Sequence, residues 1–126
     1  MKVAYVDTSC LVAIAFGERG AAALARRLDR FDALVSANLL EAELGSAFLR
    51  EGVQLEPRFL EVISWVIPDR PLHEEIAAVL AAGQVRGADC WHLASALYLA
   101  DDPSEISFLT LDERQRVVAR ALGFRE

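Results

Sequence analysis

Four carboxylates stand where a folded chain has reason not to put them. Asp7 closes the apolar run "KVAYV", and Asp112 directly follows the apolar run "ISFLTL". Glu43 falls by helical spacing inside a stripe made by Leu39, Leu40, Leu44, Ala47 and Phe48, whereas Glu41 lies at that stripe's edge. Asp89 opens "DCWHLASAL", a segment with a nearly continuous apolar lining. Burying a carboxylate beside such surface is costly unless a helix N-terminus, a cationic partner or a metal offsets it. Each acid has a simpler explanation on its own: an Asp after a strand caps the next helix, and an inward Glu pairs with an arginine. Together they are many for capping, and their convergence would create strong mutual repulsion without a cation. Carboxylates and water are the ligands that Mg²⁺ or Mn²⁺ prefers. The chemistry expected of such a site is the binding of a hard divalent ion by Asp7, Glu43, Asp89 and Asp112.

Hydroxyls accompany the acids. Thr8 and Ser9 follow Asp7, and Thr110 precedes Asp112 by the two residues that put both side chains on one face of a strand. They can serve a carboxylate, a bound water or a phosphate, or simply form turns. His92 is one helical turn after Asp89 and could orient it, or be a packed core histidine. Cys90 and His92 are two apart on a helix, so they point in different directions and cannot chelate zinc together.

The acids need a scaffold, and the patterning supplies one. Residues 2 to 6, 33 to 37 and 106 to 111 read as buried strands, and "WVIP" reads as a short strand stopped by Pro68. Helical patterns cover residues 9 to 16, 21 to 28, 57 to 66 after Pro57, 71 to 83, 89 to 100 and 113 to 122. A further helix runs from Asn38, a candidate N-cap, to just before Gly52. Strands alternating with helices specify an α/β fold with a mainly parallel sheet and helices on both faces. In such a sheet ligands bind outside the carboxyl ends of the strands, the rim where Asp7 and Asp112 fall.

The 126 residues fit one domain spanning residues 1 to 126, with 54% hydrophobic and 25% charged residues and no low-complexity tract. No apolar run approaches the ~20 residues of a membrane span, and Lys2 opens no signal-peptide pattern, so a cytoplasmic location is expected. Cys10 and Cys90 are expected to be free buried thiols. The formal net charge of −6 argues against a nucleic-acid partner. Against that, twelve of the thirteen basic residues are arginine, the side chain best shaped for phosphate, and a cation held by acids would mask part of the negative charge.

Four stretches in order, "YVDTSCLVA", "VSANLLEAELGSA", "GADCWHLASAL" and "FLTLDERQRVVARALGF", resemble the PIN-domain ribonucleases, and more closely the VapC-type toxins of bacterial toxin–antitoxin pairs. They match that family's N-terminal aspartate strand, its Glu-Leu helix, its Asp-x-x-His-Leu-Ala helix and its closing Thr-x-Asp strand. The resemblance spans almost the whole chain. It departs at Cys90 and Trp91, where small or aliphatic residues are more usual, and is weak over residues 68 to 86. The family's acidic site maps onto Asp7, Glu43, Asp89 and Asp112. Membership implies a three-layer α/β/α sandwich, a homodimer, a cognate DNA-binding antitoxin that covers the site, and cleavage of RNA, often a structured RNA such as tRNA. On that reading Arg26, Arg27 and Arg30, and Arg114, Arg116 and Arg120, are candidates for holding the RNA backbone.

Two other classes compete. A phosphoacceptor signalling domain also gathers acids at strand ends, but it needs a lysine near them, and the chain's one lysine, Lys2, starts the first strand. A phosphatase with an Asp nucleophile would want a second acid at the position of Ser9. The remaining alternative is a non-catalytic PIN-like protein-binding module, which would have little reason to keep four converging acids.

Overall fold

A computed structural model describes residues 1–126. The order is β1 (Val3–Val6), α1 (Thr8–Ala15), α2 (Ala21–Leu28), β2 (Ala33–Ala37), α3 (Leu39–Arg50), α4 (Arg58–Glu61), β3 (Ile63–Val66), α5 (His73–Ala82), α6 (Gly87–Leu99), a 3-10 turn (Pro103–Glu105), β4 (Ile106–Leu109) and α7 (Glu113–Ala121). The strands form one all-parallel sheet in the order β3-β2-β1-β4. The expected α/β architecture is therefore present, a PIN-like three-layer sandwich.

Alternation along the strands divides the core. Tyr5, Val35, Ala37, Val66 and Phe108 point to the face covered by α5, α6 and α7, where Leu72, Val79, Leu93 and Val118 complete a cluster. Ala4, Val6, Ile63 and Leu109 point the other way, against Cys10, Leu11, Leu28, Leu40, Leu44 and Phe48. β1 and β2 are central and apolar on both faces, as parallel strands with helices on each side must be. No helix is long and apolar enough to cross a membrane. Both cysteines are buried and free.

Three local expectations change. The helix expected over residues 57 to 66 is a single turn, and the chain is already a strand at Ile63. Pairing of Leu34 with Ile63 through Ala37 with Val66 outweighs the helical pattern, because Ile63 and Val66 suit a pleated surface buried on both sides. Asn38 does not cap α3: its own backbone is helical, and its amide donates to Glu41. The helix expected from residue 89 opens at Gly87, leaving Asp89 as its third residue.

Candidate active site

Parallel pairing brings Val6 and Leu109 side by side, so the chain leaves β1 and β4 at the same rim. Asp7 is the N-cap of α1 and Asp112 the N-cap of α7; each carboxylate accepts a backbone N–H of its helix, from Ser9 and Gln115. Both are thus caps as well as members of the rim. α3 follows β2 and brings Glu43 over the same edge, while the first turn of α6 brings Asp89. One cleft of about 560 Å³ is lined by all four acids and by Thr8 and Ser9.

Asp7 is buried, and its Oδ2 accepts from Ser9 Oγ at 2.8 Å and from Ser9 N at 3.3 Å, while Thr110 Oγ1, at 3.2 Å, shares its one proton between Asp7 Oδ2 and Gln115 Oε1. Its Oδ1 accepts no hydrogen bond and lies 3.7 Å from His92 Nε2. The expected supporting role of Ser9 and Thr110 has a geometric basis here, since Ser9 Oγ also accepts from Leu111 N and Thr110 Oγ1 from Asp112 N. Two hydroxyls therefore tie the ends of β1 and β4 together.

Glu43 is only half-buried, at the margin of its apolar stripe and not inside it. No arginine pairs with it. Its Oε1 accepts from His92 Nε2 at 2.7 Å and from Thr8 Oγ1 at 2.8 Å, while Oε2 accepts none. The His92 bond, then the Thr8 bond, holds the carboxyl below the usual glutamate range against the opposing effect of burial.

His92 is fully buried and serves Glu43, where the sequence pointed to Asp89. Its Nδ1 lies 2.7 Å from Tyr5 Oη, which accepts the N–H of Ala37 at 3.0 Å. The Glu43 carboxylate only accepts, so the imidazole proton resides on Nε2 and points at Glu43, and in that tautomer Nδ1 accepts the phenol proton. A chain of hydrogen bonds thus runs from the β2 backbone through Tyr5 and His92 to the cleft.

Asp89 is the one acid of the four whose carboxylate accepts no hydrogen bond. Burial, then the charges of Asp7 and Asp112, push its carboxyl above the ordinary range, and His92 only partly opposes this. Gln115, which the sequence reading passed over, is fully buried; its Oε1 accepts from Thr110 Oγ1 at 2.7 Å and its Nε2 donates to the carbonyl of Asp89 at 3.4 Å. Its position three residues after the N-cap Asp112 is that of a capping box, the signal that could have marked it.

None of the six arginines selected from sequence lines the cleft. Arg116 is tied to Glu113 and to the carbonyl of Thr110, and Arg120 to Glu126. Arg50 and Arg86 line it instead.

The donor set is all oxygen, as a hard divalent cation requires. No three His, Cys, Asp or Glu side chains stand together as a ready-made cage. The arrangement suits an ion that keeps much of its own water and takes only a few protein oxygens, the habit of Mg²⁺. Zinc has no site here: Cys90 faces an apolar hollow beside Ile76 and Leu80, while His92 is committed to Glu43.

The site is thus a set of acids gathered at the carboxyl rim of a parallel sheet flanked by helices. The chain belongs to the PIN domain family, whose model matches residues 4–121. No curated protein and no solved structure matches it.

Proposed function

We propose that this protein is a metal-dependent endoribonuclease, the toxin of a VapBC-type toxin–antitoxin pair, which cleaves RNA, with tRNA as one candidate, in the cytoplasm. The observation that supports this best is the single cleft that holds Asp7, Glu43, Asp89 and Asp112. Asp7, Asp89 and Asp112 would hold Mg²⁺ or Mn²⁺, with Glu43 beside them. When bound, such an ion supplies charge neutralisation at the phosphate and lowers the pKa of water. Glu43 presents its unengaged Oε2 to water, its orientation set by His92 and Thr8. Asp7 presents Oδ1, with Oδ2 fixed by Ser9 and Thr110. No histidine contributes a proton, because His92 is buried and holds Glu43. A homodimer and an inhibitory, DNA-binding antitoxin belong to the same proposal and rest on the resemblance of the four stretches.

The test is cleavage of total RNA by antitoxin-free protein with Mg²⁺, with Mn²⁺ and with EDTA, beside Asp89→Asn. Discrete fragments that require both metal and Asp89 are expected. An intact RNA pool in every condition would favour a non-catalytic binding module.

A further inference from the structure

The cleft that gathers the acids also contains two arginines, and helical spacing relates each to one of the acids. On α3, Arg50 follows Glu43 by seven residues, two turns along one face, with Ser46 and Ala47 between them in the same lining. At the start of α6, Arg86 lines the same cleft and precedes Asp89 by three. Both guanidinium groups are exposed. Neither forms an ion pair or hydrogen bond, although Arg86 has Asp89 one turn away and Arg50 borders a second hollow with Glu18 and Glu51. Arg58, Arg70, Arg116 and Arg120 each pair with a carboxylate, and the other unpaired arginines lie outside the cleft. Cations that remain unpaired in an acid-lined cleft leave their donors free for an incoming anion, and guanidinium donors match phosphate oxygens in a bidentate way.

We propose that Arg50 and Arg86 bind the RNA phosphates on either side of the bond to be cut. The inference rests on the endoribonuclease reading and adds the residues that place the strand. The ligand is the RNA phosphodiester backbone, because guanidinium donors match phosphate oxygens. These contacts fix register without reading sequence. The division of labour also accounts for RNA binding by an acidic chain: the carboxylates face a cation at the centre, and the arginines meet the flanking charges.

The experiment measures binding of a short fluorescein-labelled single-stranded RNA by anisotropy, with Ca²⁺ and again with EDTA, across a salt titration. Arg50→Ala and Arg86→Ala are compared with Arg58→Ala, whose side chain pairs with Glu56 away from the cleft. Each cleft variant is expected to bind about fivefold more weakly, the scale of one exposed charged contact. Each should also reduce the slope of log affinity against log salt by about 0.7, the loss of one phosphate contact on a single strand. Arg58→Ala keeps wild-type affinity and slope. If the wild type binds and both cleft variants match it in affinity and slope, the assignment of these arginines is wrong while the nuclease reading stands. If the wild type binds through them yet cuts nothing with Mg²⁺ or Mn²⁺, the arginine assignment stands and the nuclease reading fails. A wild type that neither binds nor cuts overturns both.

Discussion

Replacing Tyr5 with Phe removes one oxygen atom from the middle of the molecule and tests the buried relay that orients Glu43. The ring itself should stay, since Tyr5 is fully buried and stacked on Phe108 with centroids 5.1 Å apart and planes within 5°. What is lost is the acceptor for the Ala37 N–H and the donor to His92 Nδ1. Both groups are buried, and each buried polar group left without a partner costs about 1–3 kcal/mol. A total loss of about 2–4 kcal/mol is expected, allowing for some relaxation around the gap. At roughly 4 °C per kcal/mol for a chain of this size, the midpoint should fall by about 8–16 °C. Urea unfolding followed by far-UV circular dichroism measures the energy, and ¹⁵N shifts of the imidazole report which nitrogen carries the proton. The wild type should show protonated Nε2 and bare, hydrogen-bonded Nδ1. A loss under about 0.5 kcal/mol, or a wild-type ring protonated on Nδ1, would refute the relay.

Other consequences follow from the same geometry. Glu43 is held below the ordinary glutamate value of 4.5, so its ionised form favours the fold above that pH, and the contribution disappears as pH falls through the lower folded value. Glu43→Gln in EDTA should therefore be less stable than wild type near neutrality, with the gap closing below pH 4.5 in parallel denaturation curves. Asp89 is displaced the opposite way, so its charge opposes folding at neutral pH, and the penalty is relieved as acid protonates it. Asp89→Asn should raise the metal-free melting midpoint at pH 7, shrink any midpoint rise produced by Mn²⁺, and abolish cleavage; an unchanged or lower metal-free midpoint would show that the repulsion is negligible. Gly83 has an extended backbone, so space and not strain governs it: a Cβ there would lie 2.7 Å from Cγ2 of buried Val118. Gly83→Ala should cost about 1–3 kcal/mol in the same unfolding assay.

The strands and the rim acids were legible because the signal is local. Asp7 immediately follows β1, and Asp112 follows β4 by three residues, so finding the strand finds the acid. Glu43 and Asp89 were legible for a related reason, each being a charge beside an apolar helical face. Features that depend on the sheet order were not. Nothing near His92 in the sequence points to Tyr5 or Glu43, which lie 87 and 49 residues away and meet it only after α6 crosses the carboxyl rim. Arg50 and Arg86 read as ordinary helix-end charges until the fold brings both to one cleft, and the clustered arginines of α2 and α7 attracted notice by their number. The turn at Arg58–Glu61 shows the same limit in the fold, where pairing with β2 decided between helix and strand.

Hydroxyls, backbone N–H groups and one imidazole hold the acids in place: Asp7 accepts from Ser9 Oγ, Ser9 N and the shared proton of Thr110, Glu43 from Thr8 and His92, and Asp112 from a backbone N–H. No lysine or arginine pairs with any of the four. A salt bridge would orient a carboxylate equally well but would also cancel the field that draws a cation. Dipolar donors set the direction and leave most of the charge in place. Asp89 marks the limit of that strategy: it alone has no such donor, and it is the carboxyl that burial, and then its neighbours' charges, push upward. A divalent ion entering the cleft would therefore gain most by relieving Asp89. That is why the response of Asp89→Asn to Mn²⁺ bears more directly on the metal proposal than the loss of activity does.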